Sequence, residues 1–167
     1  DERFAGREVC FNSNEDTVTI VDVSDKQAPA QLSRTGYDTA AYTHQGWLTP
    51  DQRYFIVDDE LDEQEQGGQT KTYIFDVGRL DAPSLIGVYD GQAESIDHNQ
   101  YTLRDRSFQA NYRSGLRILD TSGVPEGSLS EVGFFDVYPP DDAAEFNGAW
   151  SNYPYFGSGN VVVSGIE

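Results

Sequence analysis

Val18-Thr19-Ile20-Val21-Asp22-Val23 is a short apolar run that closes on an aspartate, and the chain carries this pattern three times. The other two copies are Thr72-Tyr73-Ile74-Phe75-Asp76-Val77 and Leu116-Arg117-Ile118-Leu119-Asp120-Thr121. A turn follows each copy, and a further apolar run follows each turn. The three aspartates lie 54 and 44 residues apart. A pattern that recurs at this spacing indicates a repeat protein.

A second set of anchors recurs between these strands. Tyr42-Thr43-His44-Gln45-Gly46-Trp47 and Ile96-Asp97-His98-Asn99-Gln100-Tyr101 place the two histidines 54 residues apart. In a third copy, Phe146-Asn147-Gly148-Ala149-Trp150, we expect Asn147 to stand where a histidine would be. The distance from histidine to aspartate is longer in the first of these repeats, because an acidic insert lies around Asp58 to Gln69.

Each repeat is predicted to contain four short strands. In the second repeat they are His44–Leu48, Tyr54–Val57, Thr72–Asp76 and Ser84–Tyr89, which are short runs rich in Val, Ile, Tyr and Phe. Four strands in about 50 residues is the size of a propeller blade. We therefore predict an all-β chain, a β-propeller of four-stranded blades with three to four blades in an incomplete ring. The approximate repeats are 1–41, 42–93, 94–143 and an incomplete 144–167.

An open arc of blades would expose apolar faces and unpaired strand edges. We therefore expect these 167 residues to belong to a longer propeller or to associate with another chain, in a homo- or hetero-assembly. The formal net charge of −18 excludes a nucleic-acid partner, since phosphate binding needs clustered Lys and Arg. No apolar stretch approaches the length of a membrane span, so this segment is not expected to insert directly into a membrane.

The two histidines are candidate metal ligands, because neutral imidazole is a common ligand and a propeller brings equivalent positions together around its axis. Asp97 stands beside His98 and is a candidate third ligand. The alternative is that His44 and His98 make repeat-specific hydrogen bonds to a neighbouring backbone or aspartate.

The acidic insert is a candidate calcium site. Ca²⁺ takes six to eight oxygen ligands, and the dense carboxylates of the insert are Asp58, Asp59, Glu60, Asp62 and Glu63. Carboxylates on alternate residues of a strand point to opposite faces, so not all five can converge. The alternative is a solvated acidic loop.

Four further residues are given structural roles. Asp22, Asp76 and Asp120 each close a strand, and an aspartate in that place accepts backbone N–H bonds from the turn that follows. Cys10 is the only cysteine. It is either a buried free thiol or half of a disulfide whose partner lies outside these residues.

The stretches around His44, Asp58, His98 and Asn147, together with Gln109-Ala110-Asn111-Tyr112-Arg113-Ser114-Gly115-Leu116-Arg117, are similar to the choice-of-anchor B family of LVIVD-repeat β-propellers. The resemblance spans nearly the whole chain, and its most specific motif is Tyr-Thr-His-Gln-Gly-Trp. It implies an exported bacterial or environmental protein, secreted or held at the cell surface by a variable C-terminal anchor. It also implies a complete propeller of several hundred residues and an upstream cysteine that pairs with Cys10.

The residues select no specific activity. No Gly-x-Ser-x-Gly elbow, Walker loop or dinucleotide-binding glycine loop is present. The sequence favours a non-catalytic extracellular scaffold that binds a protein or a surface glycan. The alternatives are a metal-dependent hydrolase or redox enzyme built on His44 and His98, and a structural subunit of a filament.

Overall fold

The computed structural model describes residues 1–166, which form antiparallel sheets with very little helix. The first sheet contains β1 (Val9–Ser13), β2 (Thr17–Asp22) and β3 (Ala30–Gly36). The second contains β4 (Thr43–Leu48), β5 (Tyr54–Asp59), β6 (Lys71–Asp76) and β7 (Ser84–Asp90). The third contains β8 (Asn99–Leu103), β9 (Arg106–Asn111), β10 (Gly115–Asp120) and β11 (Ser130–Phe135). The fourth contains β12 (Gly148–Tyr153) and β13 (Val162–Ile166).

The sheets are the blades of a β-propeller. Within each blade the strands pair in chain order, so every connection is a hairpin. The inner strands β4, β8 and β12 contact one another in turn, and β1 contacts β4. Each motif strand, β2, β6 or β10, pairs with the outermost strand of its own blade. The predicted four-stranded blades are therefore confirmed in the second and third sheets, and all four sheets lie within the four predicted repeats.

The blades pack through strands that are apolar on both faces. On β5, Phe55 and Val57 pack against Val18 and Ile20 of the first blade. The residue between them, Ile56, points the other way and packs with Leu119 of the third blade. Successive side chains of a strand point to opposite faces. A strand sandwiched between two blades therefore reads as a continuous apolar run.

The three motif strands share a bulge and a turn. The register shifts once between each motif strand and its outer neighbour, at Ile20/Val21, Ile74/Phe75 and Ile118/Leu119. The closing aspartate then accepts the backbone N–H two residues later, as Asp76 does from Gly78 at 2.8 Å. The same bond joins Asp22 to Ser24 and Asp120 to Ser122. These bonds are the structural role that the sequence assigns to the three aspartates.

Each of these aspartates also holds an arginine that the sequence does not single out. The pairs are Arg7 with Asp22, Arg53 with Asp76 and Arg106 with Asp120, at 2.6 to 2.8 Å. The arginine is the first residue of the neighbouring strand in the third blade, directly precedes that strand in the second, and lies two residues before it in the first. The repeated ion pair therefore ties the turn to the hairpin beside it.

The remaining secondary structure is one five-residue helix, α1 (Asp62–Gln66), and two 3-10 turns, Glu2–Phe4 and Val124–Glu126. Over residues 1–166 no helix is long and apolar enough to cross a membrane. Cys10 is exposed on β1, so its interpretation as a buried thiol is wrong. A disulfide to a cysteine outside this chain stays a prediction.

Replacing Asp76 with Asn is expected to lower the free energy of unfolding by about 1 kcal/mol at pH 7, because it weakens the hydrogen bonds from Arg53 and Gly78 at a partly exposed turn. The Arg53 guanidinium lowers the pKa of Asp76. The stabilisation is therefore present above the ordinary aspartate pKa and is lost as the pH falls through the lowered value. Urea unfolding at pH 7 and pH 3 measures it. Asp90→Asn, at an exposed strand end, is the control, and an equal loss in both variants would contradict the role.

Candidate metal centre

His44 and His98 lie side by side where two neighbouring blades meet near the propeller axis. Their ring centroids are 4.6 Å apart, and the ring of Trp150 lies 4.2 Å beyond His98. His44 lies at a β-bulge of β4, where the register shifts and the residue has no paired partner on β5. Trp150 lies at the same kind of bulge of β12 and has no paired partner on β13. Trp150, and not Asn147, therefore occupies the third equivalent position. The predicted place of Asn147 is wrong, because the bulge shared by the inner strands of the second and fourth sheets aligns Trp150 with His44.

Glu60 is the carboxylate that joins the two histidines. It directly follows β5, and its two oxygens face different rings. Glu60 Oε2 lies 3.4 Å from His44 Nδ1, and Glu60 Oε1 lies 3.5 Å from His98 Nε2. Ligand atoms of His44, Glu60 and His98 all lie within 4.8 Å of one another, and among residues 1–166 they form the one group of at least three His, Cys, Asp or Glu residues that meets this limit.

Two groups face His98 Nδ1 on the far side of the ring. They are the backbone carbonyl of Trp150 and the Asn99 side-chain amide, whose nitrogen lies 2.5 Å away. A carbonyl oxygen only accepts, so the tautomer with the proton on Nδ1 donates to Trp150 and leaves the Nε2 lone pair facing Glu60, whereas an amide N–H at Nδ1 requires the opposite tautomer. The first tautomer is the arrangement by which metal-binding histidines are usually oriented. Burial lowers the pKa of His98, although the Trp150 carbonyl and Glu60 act in the opposite direction.

The two nitrogen–oxygen separations, 3.4 and 3.5 Å, are longer than ordinary N–H···O bonds, which span 2.7 to 3.2 Å. They involve different oxygens of Glu60, so each describes one histidine–carboxylate pair. Two ligands at about 2.05 Å from a tetrahedral zinc ion stand about 3.4 Å apart. Each pair taken by itself therefore has the spacing of two ligands of one ion.

The site has a closed side and an open side. Tyr112 donates its hydroxyl to Glu60 Oε1 at 2.7 Å, and burial together with Glu60 raises the pKa of this tyrosine. The His98 and Glu60 side chains are 4% and 13% exposed, whereas that of His44 is 28% exposed. An open polar cleft of about 510 Å³ adjoins His44 and is lined in part by Glu15. Solvent and small polar molecules can therefore approach from the side of the first blade.

Asp97 does not join this group, although it precedes His98. Its side chain is fully buried and contacts the equally buried Asp58, which also accepts from Gln100 Nε2 at 2.5 Å. Burial raises the pKa of both carboxyl groups well above the ordinary aspartate value. The predicted third ligand is thus replaced by Glu60, because Asp97 points between the blades.

The carboxylates of the insert from Asp58 to Glu63 are buried or largely buried, whereas residues 64–69 are exposed, so the interpretation of this carboxylate run as a solvated loop is wrong. Asp59 accepts from the Tyr37 hydroxyl and from the backbone N–H groups of Ala41 and Tyr42. Asp62 accepts from the Tyr73 hydroxyl at 2.7 Å. The four residues predicted to share a calcium ion, Asp58, Asp59, Glu60 and Asp62, therefore have four different surroundings and do not meet at one point. Calcium binding by the chain stays a prediction.

The sequence identified both histidines but assigned Glu60 to a different site and gave Tyr112 no role here. The repeat itself could have indicated that Glu60 and Tyr112 lie at this site. Glu60 directly follows β5, and Tyr112 directly follows β9, the equivalent strand of the next blade. Aligning the blades by the ends of their second strands would have placed both residues beside the histidines.

The comparison with solved structures shows the fold. The periplasmic gluconolactonase PpgL of Pseudomonas aeruginosa superposes with a TM-score of 0.67 and 15% sequence identity, over 96% of this chain and 48% of that one. The fold is that of a β-propeller. The chain thus spans about half the length of this neighbour. The apo form of the isopeptidase AtxE2 superposes with a TM-score of only 0.39 and 12% identity, over 96% of this chain and 24% of that one, which is too weak a similarity to indicate a shared fold. No family model and no curated protein matches the chain.

Replacing Glu63 with Gln is expected to flatten the decline of stability with pH. Burial and the neighbouring Asp62 raise the pKa of Glu63 to about 10. The pKa of Glu63 is higher in the folded chain than in the unfolded chain. The associated stabilisation is therefore fully present below the pKa that Glu63 has in the unfolded chain, and it is lost as the pH rises towards 10. Wild type should lose up to about 1.4 kcal/mol per pH unit more than the variant in this window. Urea unfolding from pH 6 to pH 9 measures the slopes. Exposed Glu65→Gln in the same helix is the control, and equal slopes for Glu63→Gln and wild type would refute the effect.

Proposed function

We propose that this propeller holds a zinc ion between His44 Nδ1, Glu60 and His98 Nε2, and that it acts as a metal-dependent hydrolase. The observation that supports the proposal is the convergence of His44, Glu60 and His98, whose ligand atoms all lie within 4.8 Å of one another. Imidazole nitrogen and carboxylate oxygen are ligands that zinc accepts.

Two histidines and one glutamate are a ligand set of hydrolytic zinc sites, in which the fourth position stays open for water or substrate. When bound, zinc supplies a Lewis acid and lowers the pKa of a bound water. The chain's own residues do the rest. The Trp150 carbonyl can accept from Nδ1 of His98 and so orient its ring, and the cleft beside His44 admits a small polar substrate.

The electrostatics of the chain favour a cation at this place. The formal net charge of the chain is −18. A negative field raises the local concentration of cations. Membership of the choice-of-anchor B family and export to the periplasm or cell surface are part of the same proposal, and the periplasmic location of PpgL is compatible with it.

The first test is zinc binding by the purified chain. Isothermal titration calorimetry should give one zinc ion per chain. Glu60→Gln should weaken binding by more than about 100-fold, because it removes the only carboxylate of the site. The double variant His44→Ala, His98→Ala should abolish binding. Glu15→Gln, in the adjoining cleft, is the control and should bind like wild type.

Hydrolysis of activated ester and lactone substrates by the zinc-loaded protein, lost in Glu60→Gln, is the functional arm of the same test. Zinc binding that is absent in wild type or unchanged in Glu60→Gln would contradict the site. Selective binding of ferrous iron in place of zinc would contradict the hydrolytic assignment and favour redox chemistry.

A second candidate function, binding of a surface glycan, is favoured by a row of aromatic side chains at the opposite end of the inner strands. Trp47 and Tyr101 stand 4.9 Å apart, and successive ring pairs from Tyr101 onwards are separated by 6.3, 5.4 and 4.8 Å. The row continues through Tyr155, Tyr153 and Phe156. It borders a cleft of about 600 Å³. Exposed aromatic rings in a row suit stacking on sugar rings.

Trp47→Ala is expected to weaken binding to polysaccharide by roughly tenfold, since one stacking surface is lost. Affinity electrophoresis in gels that contain bacterial surface polysaccharides measures the change. Phe134→Ala, an exposed aromatic on the outer strand β11 and outside the row, is the control. Equal retardation of wild type and Trp47→Ala would count against this second function.

A further inference from the structure

Tyr112 has a backbone conformation that an aromatic residue rarely adopts. Its φ is +31°, and its side chain is almost completely buried, at 1% exposure. Positive φ is uncommon for residues other than glycine and is a genuine outlier for a bulky one. Such strain persists only where the surroundings enforce it, and it concentrates at functional sites.

The fourth blade enforces this conformation. The Tyr112 carbonyl accepts the backbone N–H of Ala149 at 2.8 Å and that of Gly115 at 3.0 Å. Gly148 lies against the same carbonyl with φ +99°, and a Cβ at this position would stand 2.4 Å from the Tyr112 oxygen. The inner strand β12 therefore begins in close contact with the Tyr112 backbone, which only glycine at position 148 permits.

The strained backbone delivers the phenol to the candidate metal centre. The Tyr112 hydroxyl donates to Glu60 Oε1 at 2.7 Å, and its ring centroid lies 5.1 Å from that of His98. The residue thus crosses from the third blade to a carboxylate of the second. Because Tyr112 and Glu60 occupy equivalent positions in their blades, one repeat supplies the ligand and the next supplies its hydrogen-bond donor.

The hydrogen bond also separates the roles of the two Glu60 oxygens. Oε1 is engaged by Tyr112, while Oε2 faces His44 Nδ1 at 3.4 Å. A carboxylate that is free to turn can chelate an ion through both oxygens, whereas one held through Oε1 is biased towards binding through Oε2 alone. Single-oxygen binding keeps a position on the ion open.

We propose that Tyr112 is a positioning residue that holds Glu60 in single-oxygen geometry and so keeps the fourth metal position open. This inference rests on the proposed metal centre. Its support is the combination of the strained backbone, the 2.7 Å hydrogen bond and the close approach of Gly148.

Visible absorption of the Co²⁺-loaded protein tests the proposal, since four-coordinate Co²⁺ absorbs much more strongly than five- or six-coordinate Co²⁺. Tyr112→Phe should bind Co²⁺ about 10-fold to 100-fold more weakly, as for loss of other partners that orient a ligand. Its ligand-field bands should be weaker, because Glu60 then chelates through both oxygens. The melting temperature of each metal-free variant shows that it is folded.

Tyr73→Phe is the matched control. Tyr73 is equally buried and donates to the Asp62 carboxylate at 2.7 Å, outside the metal group. It should bind Co²⁺ with wild-type affinity and spectrum. If a folded Tyr112→Phe also gives the wild-type affinity and spectrum, the positioning role is refuted.

Two other outcomes separate this inference from its foundation. A wild-type chain that binds no Co²⁺ would remove the metal centre itself, and the positioning role with it. An intense phenolate-to-metal band in the Cu²⁺-loaded wild type that disappears in Tyr112→Phe would make Tyr112 a direct ligand and overturn the positioning role while keeping the centre.

Discussion

His98 Nε2 and the Glu60 carboxylate face each other across 3.5 Å in a largely buried place, and the arrangement of the site depends on this contact. Two electron-rich atoms at this distance repel unless a positive charge lies between them. A proton on Nε2 meets that need in the neutral Nε2–H tautomer, whereas burial disfavours the charged imidazolium. The proposed divalent cation would meet it for His98, Glu60 and His44 together.

The propeller supplies this contact by repeating one backbone position with different side chains. The bulged or adjoining position at the start of the inner strand carries His44, His98 and then Trp150 in successive blades. The position after the second strand carries Glu60 and then Tyr112. Neighbouring blades bring equivalent positions together, so a site with four different partners needs no change of fold. The proposed site thus needs only a few substitutions on a repeated frame.

The sequence was sufficient for the blades because their signal is local: apolar runs of fixed length that close on Asp22, Asp76 and Asp120. It also identified His44 and His98, since identical residues in phase are visible without a structure. It misplaced Glu60 and missed the burial of the acidic insert, because a dense carboxylate run is typical of a solvated loop. Burial of such a run depends on partners distant in the chain, such as the Tyr37 and Gln100 side chains, which no local pattern reveals.

The most direct measurement is anomalous X-ray diffraction from crystals of the zinc-loaded chain, with data collected on both sides of the zinc absorption edge. We predict one anomalous peak within about 2.3 Å of His44 Nδ1, a Glu60 carboxylate oxygen and His98 Nε2. A fully loaded crystal with its zinc peak elsewhere, or with Glu60 and His98 still facing each other across an empty gap, would contradict the account.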